Sequence, residues 1–138
     1  WADLRAKQRF ANYMVTQLCF DARTVCRFVT AARARGINLP VTVGVPGAVD
    51  MARLLRVSLR IGIGDSVRFL RGNRTTVRKL LRLRGYRPDA LVRQLGVHVQ
   101  QGDCDLSGLH IYTFNHVAAS VRWADQLRRR LDVAAVPK

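Results

Sequence analysis

The chain has 138 residues, 49% of them apolar, with a formal net charge of +15. That composition excludes a disordered chain and fits one domain with a single core of moderate size. No apolar run approaches the ~20 residues of a membrane-spanning helix, and the basic opening WADLRAKQRF lacks the apolar centre of a signal peptide, so a cytoplasmic protein with no membrane partner is expected.

Residues 1–12 place Leu4, Ala6, Phe10 and Ala11 among charged neighbours, the pattern of an amphipathic helix end. The chain opens directly in that pattern, at Trp1 rather than Met, and reads as a piece of something longer. Residues 13–19 follow as a strand apolar enough to be buried on both faces, yet it carries Thr16 and Gln17. A buried amide without a partner costs about 1–3 kcal/mol, so Gln17 needs a backbone group, a side chain, water or a ligand. Asp21 is a good N-cap for a helix in which Val25, Phe28, Val29 and Ala32 recur at i, i+3, i+4 and i+7 until Gly36 stops it.

Residues 41–45, VTVGV, form a second β-branched strand ended by Pro46 and Gly47. Asp50 can cap the next helix, whose Met51, Leu54, Leu55 and Leu59 share one side. Residues about 61–107 read as a basic, helical insertion without a convincing strand, in which Pro88 opens a helix. LHIYTF, 109–114, alternates as a third strand, and His116 to Leu131 is a helix with Val117, Val121, Ala124, Leu127 and Leu131 as its apolar stripe. The tail is a fraying end.

Three strands joined by helical crossovers demand a parallel sheet. The expected fold is therefore α/β, a single domain over 1–138 forming the C-terminal part of a TIM (β/α)8 barrel, its last three strand-helix units. The remainder of the same barrel would cover their open edges. Function is then expected at the C-terminal ends of the strands, around Gln17–Asp21, Gly44–Gly47 and Thr113–His116.

Cys19, Cys26 and Cys104 are odd in number and show no CxxC spacing, so neither a disulfide nor a zinc site is expected. All nine acidic residues are Asp, and residues 60–95 hold ten basic residues against two acidic ones. That field attracts polyanions, but only Phe69 and Tyr86 accompany the arginines and no nucleic-acid-binding motif does. Nucleic acid is disfavoured, and a solvated helical face or a phosphorylated or polyacidic small molecule is preferred.

TQLCFD at 16–21, GINLPVTVGV at 36–45 and GLHIYTFN at 108–115 occur in an order and spacing that resemble the methylenetetrahydrofolate reductase family. The family pattern runs TQ-x-x-[FY]-D, then P-I-x-P-G-I, then G-[LF]-H-[FI]-Y-T-[LF]-N. The resemblance covers residues 4–131 and implies a TIM barrel that reduces 5,10-methylenetetrahydrofolate to 5-methyltetrahydrofolate with NADH or NADPH, usually through FAD. By that resemblance Gln17 contacts folate and nicotinamide, a task suited to a neutral group that donates and accepts at once. Lys7, in the L-x-x-K block, corresponds to a lysine that neutralises flavin phosphate.

Departures from the family are specific. Its small residues after that lysine are replaced by Arg9-Phe10-Ala11, and Phe10 would fill space that a flavin needs. GIGDSVRFLRGN and YTFNH look most like a divergent branch said to work without flavin, which leaves FAD open. His116 stands where the family has a folate-contacting arginine, and Arg53 stands at a folate-contacting glutamine, so Arg53 is expected to take over the anionic contact. Asn115 and Tyr112 match the last block, with Tyr112 suited to packing. The family's acid is a glutamate on its first strand. This chain contains no Glu, so no catalytic residue is expected in it and it would be inactive alone. The alternatives are a basic nucleic-acid-binding domain and a non-catalytic barrel relative.

Overall fold

A computed structural model describes residues 1–50, 53, 54, 57 and 87–134, the last four of them as backbone. Helix α1 (Ala2–Lys7) runs into a 3-10 turn (Gln8–Phe10), then β1 (Met14–Leu18), α2 (Ala22–Arg33) and β2 (Val41–Pro46). Residues 53, 54 and 57 are helical. Helix α3 (Asp89–Gln100), β3 (Gly108–Tyr112) and α4 (Val117–Ala134) complete the described chain.

The strands form one parallel sheet in the order β1-β2-β3. This corrects the barrel expectation: the described residues form a three-stranded parallel sheet within a small α/β domain, and no complete barrel is present. Alternating strands and helices specify parallel pairing, but the same alternation suits open sheets and barrels alike, and three strands are far short of the roughly eight that close a barrel.

The chain divides into two compact units, Trp1–Val45 with Ala90–His110, and Pro46–Asp89 with Ile111–Lys138. In the first, α2 buries Ala22, Val25, Cys26, Val29 and Ala32, one face of a 3.6-residue period, while Val41, Val43 and Val45 of β2 are fully buried. Leu91 and Leu95 of α3, together with Cys104, add to this core. Asp21 caps α2 by accepting the Thr24 backbone N–H at 3.1 Å and its hydroxyl at 2.6 Å. At the other end Gly36 adopts φ +73°, which lets its own N–H reach Arg33 O at 2.9 Å and the Ile37 N–H reach Ala32 O at 3.0 Å. Gln8 clamps the following loop: its Nε2 donates to Gly36 O at 3.1 Å and its Oε1 accepts from Asn38 N at 2.8 Å. Arg33 closes the same region, donating to Ile37 O, Leu39 O and the Asp105 carboxylate.

Strand β1 is not the doubly buried strand that its composition suggests. Tyr13, Val15 and Gln17 are exposed and only Leu18 is buried, because among the described residues β1 is an edge strand with one face uncovered. It also carries an irregularity. Val15 pairs with Thr42 but Leu18 pairs with Gly44, so β1 holds one residue more than β2 over this step. Thr16 Oγ1 repairs the ladder by accepting Gly44 N–H at 2.9 Å, and Cys19 N–H donates to Gly44 O at 2.8 Å.

Among the described residues of the second unit, Pro46, Gly47, Val49, Leu54, Pro88, Ser120 and Trp123 are buried. The α4 stripe expected at Val117 and Val121 is displaced: these are 58% and 51% exposed, whereas Ser120 and Trp123 are each 2% exposed. The buried face follows the residues that meet Gly47 and Asp89, since Trp123 Nε1 donates to Asp89 Oδ2 at 3.3 Å. Apolar spacing alone could not distinguish a stripe anchored by valines from one anchored by serine and tryptophan. Among the described residues no helix is long and apolar enough to cross a membrane.

Candidate functional site

In parallel sheets the loops after the strands gather at one edge and carry the ligand-binding groups. Two such loops of the second unit meet here. After β2, Gly47 donates its N–H to Tyr112 O at 2.9 Å. Asp50 Oδ1 then accepts Arg53 N–H at 2.8 Å, while Leu54 N–H reaches Asp50 O at 3.1 Å. Asp50 thus caps a helical turn and fixes the base of the Arg53 side chain. After β3, the expected strand residues Thr113 and Phe114 instead form a turn closed by His116 N–H to Thr113 O at 2.8 Å.

That turn holds two consecutive non-glycine residues in the left-handed region, Phe114 at φ 50° and Asn115 at φ 64°. Such residues cost on the order of 1–3 kcal/mol each and concentrate where a site needs a special backbone course. Arg53 Nη1 donates to Phe114 O at 3.3 Å and lies 2.7 Å from His116 Nε2. Asp50 Oδ2 is 3.8 Å from the same Nε2. Arg53, His116 and Asp50 therefore form one polar cluster, with the exposed Asn115 in the turn beside it.

The cluster brings together Arg53 and His116, two of the residues singled out in the sequence, with Asn115 in the same turn. The sequence reading gives Asp50 a capping role only; its second contact, and the Phe114 carbonyl, depend on the left-handed turn, for which a Phe-Asn pair offers a weak signal through asparagine's tolerance of that region.

Gln17 lies in the first unit, at the β1 irregularity. It is exposed, its Oε1 accepts Leu18 N–H at 2.9 Å, and its Nε2 has no partner among the described residues. Lys7 ends α1 and is exposed. Three residues on, Phe10 is 79% exposed with the Arg9 guanidinium 4.6 Å over its ring. Most of the basic stretch 60–95 lies outside the described residues; of its described members, Arg87 pairs with Asp89 at 3.3 Å and Gln126 at 3.0 Å. An open groove of about 720 Å³ in the first unit, lined in part by Arg27, Thr30, His98 and Asp103, contains none of the predicted site residues.

Cys26 and Cys104 are buried free thiols and Cys19 is half-buried. Burial, the neighbouring Cys26 thiol and the Asp105 and Asp103 carboxylates push Cys104 up to about 12. Burial also raises Cys19, against the opposing Thr16 hydroxyl. Neither suits a nucleophile at neutral pH. Among the described residues no group of three or more His, Cys or Asp side chains could hold a metal ion.

No family model matches the chain.

Proposed function

We propose that this chain belongs to an oxidoreductase of one-carbon metabolism that reduces 5,10-methylenetetrahydrofolate to 5-methyltetrahydrofolate, and that it supplies substrate-binding rather than proton-transferring groups. The observation that carries the reading is the Arg53–His116 contact of 2.7 Å. These are the two positions at which the sequence departs from the family's folate contacts, and they are neighbours, as a compensating exchange requires.

In this reading Arg53 takes the anionic part of folate. A guanidinium stays charged at every working pH and matches a carboxylate with two parallel donors, which imidazole cannot do. The excess of basic residues raises the local concentration of polyglutamylated folate and of dinucleotide phosphates. Reduced nicotinamide supplies the hydride. No flavin is invoked, since the stretch after Lys7 offers the bulky, Arg9-covered Phe10.

The test is binding of 5-methyltetrahydrofolate to the 138-residue chain by calorimetry, with Arg53→Ala beside it. Saturable binding that weakens at least roughly tenfold in the variant, the scale of a lost charge-assisted hydrogen bond, supports the reading. Equal affinity in both, or none in either, overturns it.

A further inference from the structure

We infer that His116 is a positioning residue: its neutral ring grips Arg53 by Nη1 and leaves the Nε and Nη2 edge of the guanidinium to receive a carboxylate side-on. The folate reading above is needed only to identify that carboxylate as folate's glutamate.

Arginine has five N–H donors and no acceptor, so the 2.7 Å contact is donated by Nη1 and His116 Nε2 must present its lone pair. The ring is therefore neutral and carries its proton on Nδ1. Nη1 has two hydrogens, and the structure provides two acceptors for them, Nε2 and Phe114 O at 3.3 Å. Neither Nε nor Nη2 of Arg53 has a partner among the described residues. Their hydrogens point the same way in the guanidinium plane, the arrangement that meets both oxygens of a carboxylate. The left-handed Phe114 belongs to the same device, because the course of the turn brings its carbonyl to Nη1.

Protonating Nε2 removes the acceptor and sets a second cation against Arg53. The charged groups facing the ring among the described residues are Arg53 and Asp50, both from the segment after β2; the turn after β3 contributes only the neutral Phe114 carbonyl and Asn115. A protonated His116 turns to Asp50 Oδ2, already 3.8 Å away, and releases Arg53. Carboxylate capture thus requires His116 unprotonated.

Nuclear magnetic resonance on the 15N-labelled full chain, with His116→Gln and His116→Leu, decides this. Glutamine places an oxygen acceptor near the Nε2 position. In the unliganded wild-type chain the Arg53 Nη groups should show restrained rotation. His116→Gln should keep that restraint, and His116→Leu should lose it. Affinity for 5-methyltetrahydrofolate should fall on the order of tenfold in His116→Leu and be largely retained in His116→Gln. A pterin without the glutamate should show none of these differences. Unchanged Arg53 dynamics in His116→Leu would overturn the positioning role. Restrained Arg53 dynamics without folate binding would leave that role standing and overturn the folate reading.

Discussion

The Ser120 hydroxyl occupies the place where a side chain on Gly47 would begin: a Cβ built there would collide with Ser120 Oγ and come within 3.1 Å of Ser120 Cβ and 3.2 Å of Ile111 Cγ2. Glycine is therefore fixed by contact rather than by dihedral angle. The same hydroxyl is buried without a hydrogen-bond partner among the described residues, so the close approach is made at the expense of a polar group. Gly47→Ala should destabilise the chain by about 1–3 kcal/mol, the cost of overpacking. Ser120→Ala should be neutral or stabilising by up to about 1 kcal/mol, because the orphaned hydroxyl leaves. The double variant should lose less than Gly47→Ala alone, since the two sites share one contact. Urea unfolding of the three variants reads this directly.

The cap on α2 carries a pH signature. Burial pushes the Asp21 carboxyl up, but the Thr24 hydroxyl, the Thr24 and Arg23 backbone N–H groups and the Arg27 charge outweigh it and hold Asp21 below its ordinary 3.8. A depressed carboxyl stabilises the fold above its unfolded value and ceases to do so as pH falls through the folded one. Asp21→Ala should cost about 1 kcal/mol at neutral pH. Asp21→Asn keeps the acceptor and loses the charge. Its difference from wild type, measured by thermal unfolding, should therefore shrink as pH falls below about 4.

Cys104 should resist iodoacetamide at neutral pH in the folded chain and react once urea unfolds it. Its elevated value of about 12, against 9.0 when exposed, also sets an alkaline limit. The folded state holds that proton more tightly than the unfolded state, so its contribution is complete below about pH 9 and declines as pH rises toward 12. Stability measured by denaturant at increasing pH should fall over that window less steeply in Cys104→Ala.

Thr16→Val removes the hydroxyl that accepts Gly44 N–H while preserving shape. Leaving that buried N–H unpaired should cost about 1–3 kcal/mol and speed amide exchange at Gly44. Thr16→Ser, which keeps the acceptor, should restore most of the protection.

Much of the fold was legible from local signals. Asp21 before an apolar period and Gly36 after it mark α2, and the β-branched run at 41–45 marks β2, because capping and alternation are written within a few residues. What escaped depends on partners far along the chain. The open face of β1 follows from sheet order, not from the composition of 13–19, and the buried register of α4 follows from Gly47 and Asp89. Barrel closure was unreadable for the same reason, since strand-helix repeats say nothing of how many strands assemble. At the candidate site, Arg53 and His116 could be named from the family likeness, but their contact needs the left-handed turn at Phe114 and Asn115, and Asp50's second role needs it too.

The uncovered side of β1, with Tyr13 60% and Val15 40% exposed, has a colloidal consequence. Among the described residues no strand pairs with the outer side of β1, and an unpaired outer strand invites pairing with a like strand from another molecule. The net charge of +15 opposes such encounters by mutual repulsion. That repulsion is only as long-ranged as the ionic atmosphere allows, about 30 Å at 0.01 M salt and 3 Å at 1 M. Dilute buffer should therefore keep the molecules apart, whereas concentrated salt should raise their self-association, which light scattering at increasing salt reads directly.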